Sequence, residues 1–285
     1  MAATPGSGLS AGPGLSAGSR VSAGSRLSAN GRVPASPTLD RLSIELSNAC
    51  DKACFFCYNH SHAEGETCWT PDEVVELALD CARHGIEAVS LGGGEPLQYP
   101  GLFEILERLD GVVFRSFTTN GLRLDGLIDE VVRSRPDKVH ISLHFPERQA
   151  ELRRVVRQVD ELTSRGVVAG VNFLVRQSCL EAAKEASRTL GDAGIGPDRI
   201  VYLPMRGADT PTPKEMAEVA GTNRFQSMSC LLACAASPRF ASIDWARRVA
   251  WCSYTESRRA LPSNDFAGLL EALRGLELRF CGAVD

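Results

Sequence analysis

Apolar residues recur along this chain with two alternating periods. Short β-branched runs at 42–46, 88–91, 112–118, 138–143, 167–175 and 199–203 carry the signature of strands. Between them, stretches at 71–84, 102–109, 124–133, 149–165 and 180–193 are amphipathic with helical spacing. The first of these helices announces its own start: Thr70 as N-cap, Pro71 at the first helical position and Glu73 completing a capping box. Strand–helix alternation at this spacing implies parallel strands joined by right-handed crossovers. Six such units are too few to close an eight-stranded barrel, so the expected fold is α/β, an open partial (β/α)6 barrel of TIM type. In barrels of this kind the rim at the C-terminal strand ends carries the chemistry.

Each predicted strand does run into a segment with chemical content. After the first come Cys50, Cys54 and Cys57, a C-x3-C-x2-C triplet. Three thiolates wrapped this tightly can hold three irons of a [4Fe–4S] cubane and leave the fourth iron open, whereas most iron–sulfur sites are closed by a fourth cysteine. A zinc knuckle is the alternative, with His60 or His62 as fourth ligand. The second strand leads into Leu91-Gly92-Gly93-Gly94-Glu95-Pro96 and the third into Thr118-Thr119-Asn120-Gly121; taken alone, both read equally well as turns. The fourth ends in Ile141-Ser142-Leu143-His144. The fifth places Asn172 inside an apolar run, where its side chain must find a partner, a ligand or a neighbouring backbone group. The sixth ends in Tyr202-Leu203-Pro204-Met205-Arg206.

In this order, and at these strand ends, the segments resemble the radical S-adenosylmethionine (SAM) superfamily. The resemblance covers roughly residues 42–206. It implies a [4Fe–4S] cluster held by Cys50, Cys54 and Cys57, with SAM chelating the open iron. It also implies a SAM site built from Phe56, Gly93, Gly94, Glu95, Thr118, Asn120, Ser142, Asn172 and Arg206. The family's glycine-rich loop brings backbone close to the methionine amino group, its fourth-strand Ser bonds the ribose or carboxylate, and Arg206 would reach a carboxylate. His144 stands where the family usually carries an acidic residue. It is a candidate ribose contact, a candidate proton donor, or a polar residue capping the strand. Cys68, in the loop after the triplet with His60, His62 and Glu64, is a second candidate donor of a proton or hydrogen atom, against the alternative of a solvated loop.

Beyond residue 210, Cys230, Cys234, Cys252 and Cys281 surround a hairpin-like stretch at 240–254 with Asp244–Val249 as its turn. This is similar to the auxiliary-cluster extensions of the family, called SPASM when large and twitch when small. It implies a small α+β domain at 210–285 and a second [4Fe–4S] cluster on those four cysteines. The alternative is that the four are buried thiols. Cys81 and Cys179 read as core or near-core positions.

Composition narrows the field further. The chain has 285 residues, 44% of them hydrophobic, ten cysteines and a net charge of −4. That balance argues against a nucleic-acid surface. No run approaches membrane-spanning length, and the N-terminal stretch lacks the build of a signal peptide. A cytoplasmic protein with reduced, metal-binding cysteines is expected. Residues 1–38 are different material, with hexads LSAGPG, LSAGSR, VSAGSR and LSANGR and only Arg20, Arg26 and Arg32 charged. So few large apolar groups cannot offset the entropy of ordering, and disorder is expected there. The resemblance thus implies a barrel at 39–209 that acts as a radical SAM oxidoreductase or maturase on a peptide or small natural product. An electron donor such as flavodoxin or ferredoxin would serve it, and a small-molecule dehydrogenase or epimerase is the alternative. A non-catalytic zinc-binding scaffold is the competing class.

Overall fold

The computed structural model describes residues 38–222 and 239–278. Six parallel strands, β1 (Arg41–Glu45), β2 (Ala88–Gly92), β3 (Phe114–Thr119), β4 (Lys138–Leu143), β5 (Ala169–Val175) and β6 (Ile200–Pro204), lie in sequential order. The helices α1 (Pro71–Arg83), α2 (Leu102–Arg108), α3 (Ile128–Ser134), α4 (Gln149–Ser164) and α5 (Leu180–Asp192) connect them. Each register is parallel, as in the pairs Ile44 with Leu91 and Ser142 with Asn172. This is the expected partial barrel. Its core is apolar and contiguous, with Leu42, Ile44, Phe117, Ile141 and Phe173 fully buried.

Local chemistry sets the helix ends. Thr70 accepts from the backbone N of Glu73 while the Glu73 carboxylate reaches back to the Thr70 N–H at 3.0 Å, so both halves of the capping box form. Val74, Val75, Leu77, Ala78 and Cys81 then make the buried face of α1. Three boundaries differ from expectation by more than one residue. Strands β3 and β5 begin two residues late, because Val112 and Val168 are exposed in the turns that precede them. The stretch expected as one helix over 124–133 is broken into a 3-10 turn at Leu124–Gly126 and then α3.

Five elements among the described residues lie past the barrel's expected end. Helix α6 (Pro213–Ala220) repeats the α1 signature, with Thr212 capping, Pro213 first and Glu215 closing the box. Strands β7 (Phe240–Ile243) and β8 (Arg248–Ala250) form the anticipated hairpin, with β9 (Arg259–Ala260) beside β8 and α7 (Phe266–Leu273) following. Strand β7 pairs in parallel with β1, on the side away from β2. The hairpin thereby continues the barrel sheet, and the unpaired backbone along the β1 edge is covered. Arg247 supplies the left-handed turn residue at φ 58°, a conformation that ordinarily favours glycine. Its guanidinium holds the conformation by donating to the Cys68 carbonyl at 2.9 Å and lying over Trp69.

One row of the sheet is small and polar. Ser242, Ser43, Ser90 and Ser116 stand side by side on β7, β1, β2 and β3. Bulky branched residues usually fill a barrel interior. Serines leave it hollow below the C-terminal strand ends.

Candidate functional site

That hollow opens into a cavity of ≈ 350 Å³ lined by the ends of β2 to β6 and by the loop after β1. Cys50, Cys54 and Cys57 all line it. The loop carrying them is closed on itself: Cys50 N donates to the His62 carbonyl at 2.8 Å, and His62 N to Asn48 O at 3.1 Å. Ala53 and His60 sit at φ 50° and 48° within it. Non-glycine residues there cost roughly 1–2 kcal/mol each and are held by surrounding structure at functional sites.

Each cysteine sulfur meets a nitrogen from another part of the chain. Asn120 Nδ2 donates to Cys50, Ser61 N donates to Cys57, and His144 Nδ1 faces Cys54, all at 3.5 Å. Burial pushes the Cys54 thiol up to about 11 and raises that of Cys50. Loading a metal there must displace protons. Among the described residues no three His, Cys, Asp or Glu side chains gather closely enough to share one metal ion. The zinc alternative, which needs the triplet with His60 or His62, lacks that convergence. Ligands of separate irons around a cubane do not require it.

Most of the expected SAM-site residues converge here. Phe56, Gly93, Gly94, Thr118, Asn120, Ser142, His144, Asn172 and Arg206 line the same cavity. The glycines also have a packing role. A Cβ on Gly94 would run into the Ala49 carbonyl, and one on Gly93 into that of Ser47. Their smoothness lets the β2 loop press against the cysteine loop, with Gly94 N donating to Ser47 O at 2.6 Å. Asn172 donates to Thr118 Oγ1 at 3.2 Å, a side-chain partner rather than the backbone one considered. Arg206 lines the cavity as well, and its Nε is buried with no hydrogen-bond partner among the described residues.

Two expected site residues are placed elsewhere. Glu95 lies beneath the wall at 1% exposure, accepting from Thr119 Oγ1 at 2.6 Å, Asn120 N at 2.7 Å and Leu97 N at 3.1 Å. Its carboxylate orders the Asn120 loop, and that loop in turn meets Cys50. Cys68 is exposed outside the cavity, its backbone tied to Trp245 and Arg247 of the hairpin turn. Cys252 follows β8; Cys230, Cys234 and Cys281 lie outside the described residues, as do residues 1–37.

Several residues that shape the site carry no signal in the sequence. Lys52 and Glu151 form a 2.9 Å ion pair, with side-chain exposures of 7% and 9%, between the cysteine loop and the first turn of α4. Glu151 also accepts from His144 N at 2.7 Å. Tyr58 and Tyr254 pack with ring centroids 4.8 Å apart at the cavity edge. A lysine inside the triplet was visible, but its partner 99 residues away carries no local signal.

A triplet facing one cavity, walled by the glycine loop and the strand-end polar residues, lies within a stretch that matches a known family model. Residues 44–211 match the radical SAM superfamily. The chain belongs to it. That family implies a [4Fe–4S] cluster and SAM, and the donor set around the cavity fits both. Sequence relatives include "Probable GTP 3',8-cyclase" of Thermococcus kodakarensis, 31% identical over 190 residues, covering 63% of this chain and 59% of that protein. The protein of the same name from Pyrococcus horikoshii is 36% identical over 109 residues, covering 38% and 35%. The chain thus spans less than two thirds of the length of these curated relatives. Among solved structures, Streptococcus suis SuiB bound to precursor peptide SuiA superposes with a TM-score of 0.62 at 14% identity, covering 79% of this chain and 62% of that one. Native anSMEcpe with bound AdoMet gives 0.60 at 13%, covering 81% and 80%. Identities this low speak to the fold alone. No helix among the described residues is long and apolar enough to cross a membrane.

Proposed function

We propose that this radical SAM protein cleaves SAM reductively and abstracts a hydrogen atom from a substrate held in the barrel mouth. The observation that carries the reading is the convergence of Cys50, Cys54, Cys57 and Arg206 on one cavity at the C-terminal strand ends. Bound there, a cluster with one open iron would supply an electron to the sulfonium of SAM, giving methionine and the 5′-deoxyadenosyl radical. Cys50, Cys54 and Cys57 would hold it, and Arg206 would orient a carboxylate. The Tyr58–Tyr254 pair and Phe56 narrow access for water. The test is 5′-deoxyadenosine formation with a strong reductant. Wild type should make it; the variant with all three cysteines changed to Ala should make none. Undiminished product from that variant would overturn the assignment.

A small-molecule substrate is the reading the comparisons favour, since the relatives named for a reaction on GTP share 31% identity and the peptide-bound neighbour 14%. Stimulation of 5′-deoxyadenosine formation by GTP, and not by peptides, would support it. We also assign Cys230, Cys234, Cys252 and Cys281 to an auxiliary [4Fe–4S] cluster in a twitch-like extension, motivated by the β7–β8 hairpin ahead of Cys252. The triple-cysteine variant, reconstituted anaerobically, should then keep about four irons. Iron near zero would make the four ordinary thiols. A flavodoxin- or ferredoxin-like protein is the expected source of electrons.

A further inference from the structure

Among the nitrogens that face the cysteine sulfurs, one sits in a constrained setting. His144 Nδ1 lies 3.5 Å from Cys54 Sγ. The Phe56 ring stands edge-on to the imidazole at 5.5 Å and 84°. The His144 backbone is fixed by Glu151, and the same carboxylate oxygen holds Lys52 of the cysteine loop at 2.9 Å. Strand β4 and the cysteine loop are therefore clamped to one group, and the imidazole has little freedom to leave the sulfur. We propose that His144 is a positioning residue for the cluster, donating Nδ1–H to the Cys54 sulfur and raising the cluster's reduction potential.

The chemistry follows from what each atom can offer. An iron-bound thiolate presents lone pairs and no proton, so contact with Nδ1 is attractive when Nδ1 carries the hydrogen. That fixes the tautomer and leaves Nε2 as the acceptor. Reduction adds negative charge to the cluster, and an N–H aimed at one of its sulfurs stabilises the reduced form more than the oxidised one. Asn120 acts in the same sense on Cys50. Removing either donor makes the cluster harder to reduce. Arg154 and Lys52 are the cations around the imidazole, and Glu151 the carboxylate.

The proposal rests on the cluster reading above, and the experiment separates the two. His144→Asn keeps an N–H near the Nδ1 position, while His144→Leu keeps bulk against Phe56 without a donor. Anaerobically reconstituted full-length wild type and both variants are titrated potentiometrically, following the EPR signal that changes when SAM is added. Wild type and H144N should reduce together. H144L should show a reduced-to-oxidised ratio on the order of tenfold lower at a fixed potential, or about 59 mV more negative. An iron-loaded H144L with unshifted potential, or H144N shifted as far as H144L, sinks this proposal alone. A wild type without iron sinks the cluster reading with it. Independently of any variant's stability, wild type labelled with ¹⁵N-histidine should show a nitrogen coupling to the reduced cluster in pulsed EPR. Its absence, or its survival in H144N, overturns the assignment.

Discussion

Glu45 ends β1 beneath the cysteine loop, and its side chain is 1% exposed. Neither carboxylate oxygen has a hydrogen-bond partner among the described residues, and the nearest cation, Arg258, stands 4.0 Å away. Burial outweighs that cation and lifts the pKa from 4.5 to about 7, with Asp244 adding to the rise. The sign is opposite to that of most carboxylates. Above about pH 7 both folded and unfolded states are ionised, and the folded state bears the whole penalty of the buried charge. Below pH 4.5 both are protonated and the penalty vanishes. A shift of this size corresponds to about 3 kcal/mol, a large part of the 5–15 kcal/mol that stabilises a typical domain. Glu45→Gln keeps the volume and is neutral at every pH. Urea unfolding of wild type and E45Q should be compared from about pH 5 to about pH 8. The stability of E45Q relative to wild type should rise with pH by about 3 kcal/mol, most steeply between pH 4.5 and 7. A difference that stays flat, or that falls with pH, refutes the reasoning, because a Glu45 paired by Arg258 would stabilise the folded state when ionised.

Glu151→Gln strands the buried Lys52 ammonium and should lower stability by about 3–5 kcal/mol in the same assay; recovery in the double variant with Lys52→Met would identify the lost counter-charge as the cause. Gly94→Ala forces a methyl into the Ala49 carbonyl and should lower iron uptake on reconstitution, whereas Gly92→Ala, with open space around it, should not; equal iron in both would disprove the tight packing of the two loops. A chain shortened to begin at residue 38 should melt at the same temperature and take up the same iron as the full chain, since its first 37 residues offer few core-forming side chains. A lower melting temperature would show that they contribute.

Much of the barrel could be read from the chain because its information is local. Each parallel strand is a short run with apolar residues at its buried positions, and the helix α1 has an apolar face and, at Thr70, a complete cap. These are properties of neighbours in sequence. The cysteine triplet is local too, since three thiolates on eight residues share a site wherever the chain runs. The strand-end motifs were individually weak, yet parallel topology puts every C-terminal strand end on one rim, so their order sufficed to assemble them. What lay outside the sequence's reach depends on who meets whom across the fold. Whether Glu95 would face the cavity or lie under it was decided by the packing of β2 against the Asn120 loop. Whether His144 would meet solvent, ribose or sulfur was decided by Glu151 and Phe56, which fix strand and ring from different elements. The hairpin was visible, but its parallel seat on β1 was not, because edge pairing satisfies backbone groups that every sequence carries alike. Side-chain periodicity specifies an element. Contacts between distant elements specify its neighbours, and only folding brings those together.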